Sequence, residues 1–114
     1  MPPKRNPLGL NALQLKTLTL LQELARVAGT PAPEDEPGGI AISDLPHPHG
    51  DHFHLGEAVV AARDATGLRN PSVWAALERK GLIRPKLPEA VILTATGQDY
   101  DTGLRDAILH RASH

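Results

Sequence analysis

Apolar and polar positions alternate along this chain with two periods, and together they predict four helices and four short strands. The first helix begins after Asn11, where Gln14 completes a capping-box pattern, and a leucine stripe carries it as far as Gly29. Residues 29–39 hold three prolines, three glycines and three acids, which predicts a loop. The acidic run at 34–36 is expected to be the solvated tip of that loop.

The middle of the chain predicts a β-hairpin and then a helix. Residues 40–43 and 52–55 alternate as strands do, and the prolines and glycine between them favour a turn. From residue 58 to about 65, Ala58, Val59, Ala62 and Ala65 can face inward together, which predicts a short second helix. A tight turn is expected at 66–69.

The best-marked helix of the chain covers residues 70–80. Asn70 is its expected N-cap, Pro71 its first residue, and Gly81 follows its last turn. Two strands are predicted at 82–87 and 90–93, joined at Pro88 and Glu89. Thr94 is then expected to cap a last helix that runs to about residue 111.

Two stretches of this second half resemble the winged-helix domains of MarR-like regulators. WAALERKGLI at 74–83 is similar to the end of a winged-helix recognition helix, and LTATG at 93–97 is similar to the Leu-Thr-x-x-Gly that closes the wing. The resemblance implies an α+β fold with a helix, a short β-hairpin, a helix-turn-helix, a two-stranded wing and a C-terminal helix. We expect one such domain over residues 10–112, preceded by a flexible arm at 1–9.

Charge is distributed unevenly along the chain. The net charge is −1, yet the stretch 63–86 holds six basic residues and only two acids, Asp64 and Glu78. A basic recognition helix and wing predict binding to double-stranded DNA, with helix 70–80 in the major groove and the wing on phosphates. The residues expected to contact DNA are Arg69, Asn70, Ser72, Ala75, Arg79, Lys80, Arg84 and Lys86.

These features predict a transcriptional regulator rather than an enzyme. One module reads few base pairs, so we expect a homodimer, and the leucine-rich first and last helices offer faces for it. Leu18, Leu21, Leu104 and Ile108 could instead pack together within one chain. A protein-interaction module without DNA binding also stays open, because Ala75 and Ala76 offer few hydrogen bonds to bases. Trp74 is expected in the core.

The stretch HPHGDHFH at 47–54 holds four of the six histidines. Its His-x-His-x-Asp-His pattern resembles the metal-binding motif of metallo-β-lactamases, but the chain is too short for that fold and lacks the further ligands downstream. His47, His49, Asp51, His52 and His54 remain candidates for a zinc or nickel site. A surface role without metal, a pH-sensing role and a DNA-contacting role also stay open, so no cofactor is demanded.

The chain contains no cysteine, which excludes disulfides, thiolate metal ligands and cysteine nucleophiles. No apolar run reaches the ~18 residues of a membrane span, and no secretory signal is visible. We therefore expect a cytoplasmic protein without a membrane partner.

Overall fold

The first helix of the chain supplies much of the core. In the computed structural model, which describes residues 6–33, 36–43, 45–47, 50–86 and 90–111, α1 runs over Ala12–Ala28. The predicted capping box is confirmed, because Asn11 and Gln14 each accept a hydrogen bond from the other's backbone N–H. Its buried leucines are Leu18, Leu20, Leu21 and Leu24.

The remaining elements are short. In chain order they are β1 (Thr30–Pro31), β2 (Ile40–Ile42), β3 (His52–Leu55), β4 (Ala58–Ala61), α2 (Pro71–Arg79), β5 (Ile83–Lys86), β6 (Ala90–Leu93), α3 (Ala95–Asp99), α4 (Arg105–Ile108) and β7 (His110–Arg111). Two 3-10 turns, Ala62–Asp64 and Thr66–Arg69, lead from β4 to α2.

The strands form two antiparallel sheets. One has the order β1-β2-β6-β5 and the other the order β3-β4-β7. In the larger sheet β6 lies between β2 and β5, with Val91 opposite both Ile42 and Pro85. The predicted α+β class is confirmed by this combination of helices with antiparallel sheets.

The predicted hairpin between residues 40–43 and 52–55 is wrong. β2 pairs with β1 and β6, whereas β3 pairs with β4 through a turn at Gly56 and Glu57. Gly56 has a φ of +62°, the conformation that the first position of a two-residue hairpin turn requires. The local pairing closes the shorter loop, so it costs less chain entropy than a β2–β3 pairing would.

The helix predicted from residue 58 to about 65 is therefore also wrong. Residues 58–61 are strand β4, and 3-10 turns follow where a helix-turn-helix would place its first helix. Val60 is fully buried, and Val59 and Val60 are β-branched residues that favour strands. The helical spacing of Ala58, Val59, Ala62 and Ala65 concealed that preference.

The last predicted helix is broken. Thr94 caps α3 as expected, accepting a hydrogen bond from the N–H of Gly97, but α3 ends at Asp99. The Asp101 carboxylate accepts a hydrogen bond from the N–H of Gly103, which has a φ of +70°, and this turn competes with helix continuation. Only α4 resumes the helix, and β7 follows it.

Two further expectations concern surfaces. Leu18, Leu21 and Ile108 are buried within the chain, so they offer no face to a second copy, and Leu104 is half-buried.

Of the predicted N-terminal arm, residues 1–5 lie outside the described part, while Asn6 hydrogen-bonds to Leu10 and Tyr100. Across the ranges described above, no helix is long and apolar enough to cross a membrane.

Candidate nucleic-acid interface and histidine pair

Helix α2 has defined ends. Asn70 accepts a hydrogen bond from the N–H of Ser72 at 2.9 Å, and Pro71 is the first helical residue, as predicted. Beyond the last turn, Gly81 has a φ of +77° and its N–H donates to the carbonyl of Glu78, while Leu82 donates to the carbonyl of Leu77. These two hydrogen bonds end the helix, and β5 begins two residues after Gly81. They therefore fix the direction in which the strand leaves the helix.

One stripe of α2 faces solvent. Ser72, Ala75 and Arg79 are exposed at positions i, i+3 and i+7, which lie on one side of a helix. The opposite side is buried and consists of Val73, Ala76 and Leu77. Three of the predicted DNA-contacting residues therefore share a surface, and exposed Lys80 follows them at the end of the helix.

Strand β5 carries Arg84 and Lys86, two of the basic residues predicted to contact DNA. Arg84 forms an ion pair with an acidic residue. Arg84 Nε lies 2.7 Å from Glu36 Oε1, with the Glu36 side chain 19% exposed and that of Arg84 54% exposed. Glu36 was expected at a solvated loop tip, and that expectation is wrong for this residue; residues 34 and 35 lie outside the described part. The ion pair reduces the positive charge that β5 presents.

The basic residues of α2 and β5 do not share one face. Pro85 lines a groove with Trp74 and Ala75 of α2. Because neighbouring residues of a strand point to opposite sides, Arg84 and Lys86 are directed away from that groove. A ligand on the α2 stripe would thus meet Arg79 and Lys80 first, and would reach the β5 cations only by passing the edge of the sheet.

An apolar groove of about 450 Å³ lies beside the α2 stripe. Its lining residues are Leu45, Leu68, Arg69, Asn70, Pro71, Trp74, Ala75, Glu78 and Pro85. Trp74, expected in the core, is half-buried and packs against it, and its indole N–H donates to the carbonyl of Leu68 at 2.9 Å. The ring therefore presents a fixed apolar wall.

Two predicted DNA contacts already have structural roles. Arg69 is exposed, and its Nη2 donates to the carbonyl of Pro46 at 3.2 Å, which ties the segment after β2 to the turn before α2. The side-chain oxygen of Asn70 caps α2. Leu45 and Pro85 were missed by the sequence analysis, because neither belongs to a periodic pattern that would point to a groove.

The histidine cluster is partly assembled. His52 and His54 project to the same face of β3, as alternation predicts, while Phe53 between them is buried. Their Nε2 atoms lie 3.1 Å apart, with ring planes at 77° and centroids 4.8 Å apart. Asp51 Oδ1 lies 3.3 Å from Nδ1 of His52, and this hydrogen bond lowers the pKa of Asp51.

The described members of the predicted metal-ligand set, His47, Asp51, His52 and His54, do not form a group of three or more ligands. Within the part of the chain that the structure describes, no group of three or more His, Cys, Asp or Glu side chains is placed so that it could hold a metal ion. His47 is exposed and contributes to no such group, and His49 lies outside the described residues. What the structure brings together is the pair His52 and His54, with Asp51 behind His52.

No known family profile, curated protein or solved structure matches this chain. Its function must therefore be inferred from its own surfaces. Those surfaces are the α2 stripe, the groove at Trp74 and the histidine pair on β3.

Proposed function

We propose that this chain binds double-stranded DNA as a winged-helix transcriptional regulator, with α2 as the recognition helix and β5–β6 as the wing. The observation that carries the proposal is the exposed stripe of Ser72, Ala75 and Arg79 on a helix that continues, through Gly81, into an antiparallel hairpin. In winged helices, a short strand ahead of the recognition helix pairs with the wing. Here β2 pairs with β6, which supports the same arrangement.

The chain departs from that arrangement ahead of α2. The β3–β4 hairpin and two 3-10 turns stand where a helix-turn-helix has its first helix. Recognition depends mainly on the helix that enters the groove, and α2 keeps its capped start and solvent-facing stripe. The departure changes the support behind α2 and leaves its outer face available.

The chemistry of the α2 stripe suits the major groove. The hydroxyl of Ser72 can donate to or accept from base edges, and the methyl of Ala75 lets the helix approach closely and contact a thymine methyl. Arg79 and Lys80 then lie toward the end of the helix, where they can neutralise phosphates and fix its register. Arg84 would join them only after leaving Glu36.

The test is fluorescence anisotropy with a mixed-sequence duplex of ~20 base pairs, in a series of salt concentrations. Arg79→Gln should weaken binding several-fold and reduce the slope of log K against log salt by about one. Arg111→Gln is the matched control, because it removes the same charge from β7 of the other sheet. It should change affinity much less.

Two results would refute the proposal. One is the lack of binding at low salt. The other is an equal loss from Arg79→Gln and Arg111→Gln, which would mean attraction by overall charge without an interface on α2.

The apolar groove favours a second candidate, a protein-interaction module. A half-buried tryptophan with leucine and proline around it is typical of a site for an apolar side chain of a partner. Leu45→Ser separates the two functions, because Leu45 lines the groove but lies outside the α2 stripe. DNA affinity should be unchanged in this variant if α2 reads DNA, whereas binding of a protein partner in the groove should be lost.

A further inference from the structure

The two histidines of β3 are held by a well-anchored strand. All four residues of β3 pair with β4, with His52 opposite Ala61 and His54 opposite Val59. On the other face of the strand, Phe53 and Leu55 are buried in the core. The backbone under both imidazoles is thus fixed by pairing and by packing, so the two rings share one face without any ordering of a loop.

The separation of the two rings suits a shared metal ion. Zinc binds imidazole nitrogen at about 2.0–2.1 Å, so an ion placed equally between nitrogens 3.1 Å apart would have an N–metal–N angle of about 100°. That angle is close to those of tetrahedral and octahedral coordination. From the direction of the Nε2···Nε2 contact, each ring would turn by about 40° to aim its nitrogen at such an ion.

Asp51 prepares His52 for this task. Its carboxylate accepts a hydrogen bond from Nδ1–H of His52, which places the lone pair of the neutral ring on Nε2. The 3.1 Å contact then places the Nε2–H of His54 toward that lone pair. A divalent ion that binds both Nε2 atoms takes the place of this shared proton.

We propose that His52 and His54 form a bidentate site for a divalent transition metal ion of the zinc and nickel class, with Asp51 orienting His52 from outside the coordination sphere. The remaining coordination positions of such an ion are open to water or to further donors. Imidazole ligands favour zinc, nickel and copper over magnesium and calcium, which prefer oxygen. This site is on β3 and shares no residue with the α2 stripe, so the proposal does not depend on DNA binding.

The test is calorimetric titration of the whole, tag-free and chelator-treated chain with zinc and with nickel at neutral pH. One ion per chain should bind, and the Nε2 resonances of both imidazoles should shift in 15N NMR spectra. His54→Ala and His52→Ala should each weaken binding at least about tenfold. His110→Ala, which removes an exposed histidine from β7, is the matched control and should leave affinity unchanged.

Asp51→Asn tests the orienting role. It keeps both ligands and should weaken binding by about tenfold.

The proposal is overturned if zinc and nickel fail to bind, if His54→Ala binds as tightly as the unaltered chain, or if His110→Ala loses as much affinity as His54→Ala. His54 is exposed, so its replacement does not threaten the fold, and far-ultraviolet circular dichroism would verify that.

Discussion

Glu23 of α1 accepts a hydrogen bond from Arg105 of α4, with 2.5 Å between Oε1 and Nη1, although 82 residues separate them along the chain. Arg26 donates to the same carboxylate. The Glu23 side chain is only 2% exposed, while both guanidinium groups are more than half exposed. One buried acid thus joins the first helix to the last through Arg105, and Arg26 of its own helix shares the same carboxylate.

The Glu23 carboxylate should make stability depend on acid. The hydrogen bond from Arg26 lowers its pKa from an ordinary 4.5 and Arg105 adds to the effect, whereas burial opposes both. A folded-state pKa below the unfolded value means that the stabilisation is fully present above about pH 4.5 and is lost as pH falls through the lower folded value. Urea unfolding between pH 7 and pH 3 should show this loss, and Glu23→Gln should flatten it.

Glu23→Gln should also reduce the free energy of unfolding at pH 7, by about 1–3 kcal/mol. The loss is smaller than for a fully buried ion pair, because both arginines can return to water. Glu57→Gln is the control, since Glu57 is exposed nearby and should change stability by less than about 0.5 kcal/mol. Equal losses in the two variants would show that the ion pairs of Glu23 contribute nothing.

Glu36→Gln should raise affinity for DNA if the proposed function holds. It releases Arg84 from its ion pair, and the freed cation can neutralise a phosphate, so binding at low salt should tighten several-fold. Arg84→Gln should then cost more affinity in the Glu36→Gln background than in the unaltered chain. Anisotropy titrations of the unaltered chain, the two single variants and the double variant form a double-mutant cycle. Additive effects on the free energy of binding would contradict the idea that Glu36 restrains Arg84 from binding DNA.

Replacing Gly97 with alanine should destabilise the protein more than replacing Gly81, although only Gly81 has a positive φ. An alanine at Gly81 would have nothing within 4 Å of its Cβ, so its cost is the positive φ, about 1–2 kcal/mol. An alanine at Gly97 of α3 has no positive φ, but its Cβ would lie 2.1 Å from the carbonyl oxygen of Leu82. Thermal or urea unfolding should show a loss of about 3 kcal/mol or more for Gly97→Ala.

Tyr100→Phe should release residues 6–10 locally. The phenol accepts a hydrogen bond from the N–H of Leu8 at 3.2 Å and donates to Asn6. Its removal should cost about 1 kcal/mol and speed hydrogen exchange at the Leu8 amide, while exchange in the middle of α1 stays slow. Uniformly faster exchange would instead mean that Tyr100 supports the whole core.

The signals that the sequence analysis interpreted correctly are local. The capping box of Asn11, the Asn70–Pro71 start of α2 and the cap at Thr94 each involve residues a few positions apart, so their physics is complete in a short window. The helix prediction for residues 58–61 was wrong because alanine and valine fit both the helical and the strand period. Pairing with β3 and β7 decides in favour of a strand. Those partners are not visible from within the segment.

The candidate sites divide in the same way. The α2 stripe and the shared face of His52 and His54 follow from the helical and strand periods. The pairing of Glu36 with Arg84 and the contribution of Leu45 to the groove depend on how distant segments meet. No spacing in the sequence encodes those meetings, so only the three-dimensional structure could supply them.

The last strand of the smaller sheet, β7, pairs with β4 at Ala58 and Val59. A ribosome adding 5–20 residues per second takes roughly 3 to 10 seconds to add the ~50 residues between them. Through that interval one edge of the β3–β4 hairpin presents unpaired backbone N–H and C=O groups, which another nascent chain can join. This edge is covered only late in translation. Crowded ribosomes and slow elongation over this stretch should therefore lower the yield of folded protein.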